Sequence, residues 1–323
     1  MPSRLPASGR CVPVDERLIP INGLIALLRG DGGWPKPLGQ QGFRRHQLEV
    51  PVSTPLGNIR VDALVYRREP DLIVLSEAKS GRNLECDQAK KYLAVDSSWL
   101  RRAGAIPPEL RPVRDPAVCT LFVGREEHRS DLETGLEHLG ISAPLLTVGS
   151  GRARLTGSSD VSGLDPFDES HHAGLPPARI PVDHQSSDED LMELLLPQIV
   201  AAQSAEEDIV SVEAIAERIL PEWVVLSHGI REAFLKRLAA LLQGLAAREM
   251  RGQFRYESLR QPHTRGRVLI EATPASRDPR GRTQAWQAQQ RHAASALKRR
   301  QAQEEAGQLS LDELAEQGGL AQE

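Results

Sequence analysis

Residues 58–66, NIRVDALVY, and 71–81, DLIVLSEAKSG, followed by 87–92, DQAKKY, decide the fold of this chain. The first two runs are rich in Val, Ile, Leu and Tyr, and RREPD at 67–71 separates them with charges and a proline, which predicts a hairpin of adjacent strands over 59–66 and 72–78. Side chains alternate faces along a strand, so Ile73, Leu75, Glu77 and Lys79 share one side. Leu72 and Val74 are apolar as well, the pattern of a central strand covered on both faces. Ionised groups in such a strand are costly unless paired, hydrogen-bonded or bound to metal. Asp62, Glu77 and Lys79 would meet where the apolar run ends. The plain alternative is a surface hairpin on which Glu77 and Lys79 form a solvated pair.

Hydrolysis of a phosphodiester is the chemistry that wants this trio. Asp62 and Glu77 offer hard oxygen ligands suited to Mg²⁺ or Mn²⁺, and Lys79 can hold a water or offset charge on the phosphorus oxygens. Gln88 and Tyr92 are four apart and share one face of a helix predicted over 84–95, placed to orient Lys79, water or phosphate. Lys90 and Lys91 lie on its other sides, within reach of backbone phosphates. Glu49, on a strand predicted over 47–52, is either a further metal ligand or an exposed strand residue. His46 suits a Mg²⁺ site poorly.

Asp62, fourteen intervening residues, Glu77-Ala-Lys79, then Gln88-Ala-Lys-Lys-Tyr92: this order resembles the PD-(D/E)XK nuclease superfamily, in particular its QxxxY branch of RecB-type and CRISPR-associated nucleases. The resemblance covers about 45–95, with compatible flanks over 1–150. It implies a restriction-endonuclease-like α/β fold with a mixed sheet flanked by helices, a divalent metal, and nucleic-acid cleavage leaving a 5′-phosphate. Asp62 and Glu77 take the places of the metal-binding acids, Lys79 of the catalytic lysine, and Gln88 and Tyr92 of the helix motif. Val61 stands where the family name has proline. The cysteine cluster that holds iron and sulfur in some QxxxY nucleases is absent, so that cofactor is not expected. The QxxxY helix favours single strands or duplex ends of DNA over an internal specific sequence.

The rest of the chain frames this unit. A helix is predicted over 18–29, a strand over 118–124, a helix over 130–139 and a short strand over 145–148. Gly, Ser, Pro and Asp dominate residues 151–190, which predicts a flexible acidic linker after a nuclease domain at 1–150. Order resumes at 191–275 with three amphipathic segments and two strand-like runs joined by a basic turn, the layout of a winged-helix-like domain. Ser211 is the expected N-cap of its second helix. Ser227, His228, Arg231, Lys236 and Arg237 on the third helix, and Arg255, Arg260, His263, Arg265 and Arg267 in the wing, are the nucleic-acid contacts this layout offers. Residues 276–323 read as a polar helical tail.

The 323 residues, 40% hydrophobic and 26% charged, describe a soluble protein with room for two cores. No run reaches the length of a membrane helix and the N-terminus lacks a signal-peptide core, so no membrane partner and a cytoplasmic location are expected. Cys11, Cys86 and Cys119 are too scattered for a disulfide framework or zinc site. The net charge of -4 hides an acidic centre and a basic C-terminal third, the latter suited to phosphates. Three functions fit: a nuclease in bacterial defence or DNA repair, a nuclease-fold protein that binds without cutting, and a transcriptional regulator with an N-terminal sensor. A protein activator or a homodimer is compatible with the first.

Overall fold

Strand β3, Asp71–Lys79, is an interior strand of a seven-stranded mixed sheet, flanked by a strand on each side as its apolar faces require. In this computed structural model, which describes residues 16–110, 115–157, 163–183, 186–204, 207–248, 250, 254–259 and 266–270, the chain divides into two units. The first holds residues 1–183 and 220–231, and the second 184–219 and 232–323.

The sheet of the first unit runs in chain order, β1 (Arg44–Thr54), β2 (Gly57–Arg68), β3, β4 (Ala117–Arg125), β5 (Leu145–Gly149), β6 (Arg152–Thr156) and β7 (Phe167–Ser170). β1, β2 and β3 form an antiparallel meander, β3, β4 and β5 are parallel, and β6 and β7 turn back antiparallel. Helix α1, Ile19–Arg29, ends at Gly30, whose φ of 76° needs glycine, and packs across β3, β4 and β5. A short α2, Pro37–Gln40, follows it. Helices α3 (Cys86–Leu93) and α4 (Ser97–Arg102) close over Ile73 and Leu75, with Tyr92, Val95 and Leu100 in the same apolar cluster. Helix α5, Arg129–His138, seats Leu132 and Leu136 beside Phe122 of β4. The α/β class and the helix-flanked mixed sheet are thus as expected.

The linker expected over 151–190 is corrected over much of its length. β6 and β7 lie within it, and Leu164, Ile180 and Val182 are buried, so the first unit extends to Asp183. Its polar composition conceals a tether. Asn22 of α1, 0% exposed, donates to the carbonyls of Leu18 and Ile180 and accepts from the N–H groups of Arg179 and Ile180, all at 2.8–2.9 Å. Asn22→Ala strips partners from those buried backbone groups and should lower unfolding free energy by about 2–4 kcal/mol, read as a lower urea midpoint. An unchanged midpoint would mean that residues 179–180 are held by other contacts.

Residues 220–231 also depart from expectation. Read in sequence as part of the C-terminal domain, with Ser227, His228 and Arg231 on its third helix, they belong to the first unit. Leu226 forms a parallel bridge with Leu48 of β1, and the Ser227 N–H donates to the Leu48 carbonyl at 3.1 Å. Trp223 is buried there, and buried Glu222 pairs with Arg45 and, at 3.2 Å, with Arg29. The edge strand β1 is covered in part by this segment.

The second unit contains the helix Asp188–Ser204, β8 (Ile209–Ser211), the helix Val212–Ile219, the helix His228–Ala247, whose first turn groups with the first unit, β9 (Phe254–Glu257) and β10 (Arg267–Ile270). β10 lies between β8 and β9, antiparallel to both. Ser211 caps as expected, its Oγ accepting from the Ala214 N–H at 3.0 Å. Residues 276–323 lie outside the described residues, as do Arg260, His263 and Arg265. Among the described residues no helix is long and apolar enough to cross a membrane.

Candidate active site

Adjacent strands deliver the two acids. The β2–β3 register sets Ala63 against Ser76, and the Asp62 Oδ2 accepts from the Ala78 N–H at 2.7 Å, so Asp62 sits across the end of β3 from Glu77. The β1–β2 register, Leu48 against Ala63 and Val50 against Val61, brings Glu49 opposite Asp62. Glu49 has φ of 54°, a left-handed conformation that a side chain with a Cβ adopts at a cost, in the middle of a strand. That strain sits beside the two acids predicted from sequence. It singles out Glu49 in a way that its local sequence does not.

Lys79 bridges strand and helix. Its ammonium, on a side chain 13% exposed, lies 2.7 Å from Glu77 Oε1 and donates to Gln88 Oε1 at 2.9 Å. Gln88 therefore orients Lys79, one of the roles foreseen for it. Tyr92 does something different. Fully buried, its hydroxyl donates to the Arg60 carbonyl at 2.6 Å and pins α3 to β2 below the acids. Gln88→Ala should cut any Lys79-dependent reaction about tenfold through a freer ammonium, without a comparable loss of stability. Equal rates for wild type and variant would remove Gln88 from the site.

Burial sets the electrostatics. It pushes the Asp62 carboxyl well above the ordinary range, with repulsion from Glu77 adding to it and the Ala78 N–H opposing it. Glu77 is also raised by burial, against the pull of Lys79. Glu49 is pushed up to about 7, mainly by burial, with Asp183 and Glu77 adding and Arg60 opposing. Burial, Asp62 and Glu77 keep Tyr92 protonated. Burial thus holds Asp62, Glu77 and Glu49 all above the usual carboxylate range.

A divalent metal fits the donors present. The Glu77 Oε2 is buried with no hydrogen-bond partner, an orphan acceptor beside the Asp62 carboxylate. Among the described residues no three His, Cys, Asp or Glu side chains are gathered into a ready metal cage. Mg²⁺ does not require one, since it commonly takes one or two carboxylates and completes its shell with water and substrate phosphate. His46 lies edge-on to Tyr66, 6.2 Å between ring centroids.

The expected nucleic-acid contacts divide. Lys90 is exposed on α3, and Lys91 lies against the β1–β2 turn, where a Cβ on Gly57 would stand 3.5 Å from its Cε. Arg231 is half-buried in the first unit, and Ser227, 4% exposed, is not a surface contact, because the Leu48 carbonyl holds its backbone. Arg237 is engaged by Asp188 and the Ser186 carbonyl, both at 2.6 Å. Arg267 pairs with Glu257 at 2.6 Å, while Arg255 is exposed on β9. Sequence reading missed Glu222 and the cations around it, because their pairing joins residues far apart in the chain. Comparison of the chain with protein-family models, with curated proteins and with solved structures finds no match.

Proposed function

We propose that this chain is a metal-dependent nuclease that hydrolyses phosphodiester bonds of DNA, a member by resemblance of the PD-(D/E)XK type. The observation that carries the reading is the buried array of Asp62, Glu77, Lys79 and Gln88 at the meeting of β2, β3 and α3. A structural ion pair would not need a second buried carboxylate, an orphan Glu77 oxygen and a strained Glu49 beside it. Asp62 and Glu77, with Glu49 beside them, would hold Mg²⁺ or Mn²⁺, which when bound supplies charge neutralisation and a more acidic water. Lys79, held by Gln88, would place its ammonium on a phosphate oxygen or the attacking water. Gln88 and Tyr92 would keep that geometry through turnover.

The second unit supports a positioning role. Its order of helix, strand, helix, helix, strand, strand, with the last strand between the other two, is the arrangement expected of a winged-helix-like module. It also favours one rival, a regulator that binds specific duplex DNA and cuts nothing. Incubation of the full chain with labelled single- and double-stranded DNA and RNA, in Mg²⁺, Mn²⁺ or EDTA, separates the two. Cleavage that EDTA abolishes supports the nuclease. Duplex binding with no cleavage under any metal supports the regulator. Bacterial defence and DNA repair are the settings that suit such an enzyme, by analogy of site alone.

A further inference from the structure

Glu49 is held in a conformation that an unrestrained strand would shed. A half-turn of the Leu48–Glu49 peptide would carry its φ from 54° to about −126°, the ordinary extended region, while barely moving the Cα atoms. Strain of this kind lasts only where neighbouring structure leaves the residue no choice. One restraint is β2, which pairs with β1 on either side of Glu49, Leu48 against Ala63 and Val50 against Val61. The other comes from far along the chain. The Leu48 carbonyl, the group that a half-turn would reverse, accepts from the Ser227 N–H at 3.1 Å.

Ser227 is itself firmly placed. Leu226 before it forms the parallel bridge with Leu48, and Trp223, 2% exposed, is buried one turn earlier. Glu222 anchors the start of the strip through Arg45 and, at 3.2 Å, Arg29. The Ser227 side chain is buried, and its Oγ has no hydrogen-bond partner, so the backbone N–H is what this residue offers β1. Beyond it the helix His228–Ala247 begins, and from residue 232 that helix belongs to the second unit.

We propose that Ser227 is a positioning residue for the candidate metal site: its N–H locks the Leu48–Glu49 peptide and so aims the Glu49 carboxylate at Asp62 and Glu77. Release of that peptide would swing the Glu49 N–H and tilt the Cβ that carries the carboxylate, and a ligand misplaced by about 1 Å serves a metal poorly. The three acids stand close enough for Glu77 to repel Glu49 and for Glu49 to repel Asp62, on top of the effect of burial. The inference rests on the metal-site reading, and its test is therefore metal binding, with no DNA present.

Titration of the full chain with Mn²⁺, followed by the electron paramagnetic resonance signal of the free ion, measures that affinity. Ser227→Pro removes the N–H and no charge, and Leu226, at φ −66° and ψ 144°, already has the backbone that precedes a proline. It is expected to weaken Mn²⁺ binding about tenfold, the usual cost of disturbing the partner of a metal ligand. In a Glu49→Gln background the same substitution should change affinity by less than about twofold, because the ligand it acts through is gone. A strip that only stabilised the fold would weaken binding equally in both backgrounds, and that equality would overturn the inference. Wild-type Mn²⁺ affinity in folded Ser227→Pro would overturn it as well. Urea midpoints show whether Ser227→Pro folds. If it does not, Glu222→Gln, which loosens the other end of the strip, takes its place in the same cycle under the same criteria. Failure of the wild type to bind Mn²⁺ at all would bring down the metal-site reading, and this inference with it.

Discussion

Lys79→Ala is expected to lower Mg²⁺-dependent DNA cleavage by about two to three orders of magnitude, the usual cost of removing one well-placed electrostatic group from a reacting centre. The magnitude follows from the setting of Lys79. Its ammonium is mostly withdrawn from solvent and fixed between Glu77 at 2.7 Å and Gln88 at 2.9 Å, so it brings a positive charge to phosphate with little reorganisation. On the proposed function, Glu77→Gln should cost at least as much, because it would remove a metal ligand together with the partner of Lys79. Single-turnover cleavage of labelled DNA measures both. Retention of the wild-type rate by Lys79→Ala, with EDTA still abolishing activity, would place the chemistry elsewhere.

The second large effect concerns stability and pH, and its sign differs from that of an ordinary carboxylate. Glu49 rises from 4.5 to about 7 on folding, and Asp62 is raised as well. A carboxyl raised in the folded state binds its proton more tightly there than in the unfolded chain. Its stabilising contribution is full in acid and is lost as pH climbs from the unfolded value, for Glu49 from about 4.5 to 7. In EDTA the urea stability of the wild type, compared with Glu49→Gln, should therefore fall by up to about 3 kcal/mol across that window. Asp62→Asn should be more stable than wild type in EDTA at neutral pH, and inactive. Mg²⁺ should stabilise the wild type more at pH 8 than at pH 5, and its binding should release protons. Stability of Glu49→Gln that tracks the wild type across the whole pH range would show Glu49 to be solvated.

The region that holds the candidate site was also the most legible. Expected strands at 59–66 and 72–78 became Gly57–Arg68 and Asp71–Lys79, and the helix at 84–95 became Cys86–Leu93, because apolar runs and a punctuating Pro70 act locally. The meeting of Asp62, Glu77, Lys79 and Gln88 could be read from alternation and helical spacing. The tethering role of Tyr92 could not, since it depends on where the Arg60 carbonyl lies in space. β6 and β7 were hidden in a polar tract: Ala153 and Leu155 alternate with Arg152 and Arg154 over only five residues, a weak signal set between glycines. Nor does any local pattern announce that Asn22 takes hold of residues 179–180, or that Glu222 answers Arg45.

Those long-range ties change what counts as one piece of this protein. The chain passes between its two units at 183–184, at 219–220 and again at 231–232. A fragment ending after Asp183 keeps every residue of the candidate active site yet lacks the strip at 220–231, leaving the backbone of Leu48 unmatched and Arg45 without Glu222. Recombination that joined the N-terminal unit to a different C-terminal module would meet the same difficulty, since the new module would have to bring its own substitute for Glu222, Trp223 and Leu226. The two halves are interleaved in sequence, and that makes them heritable only together.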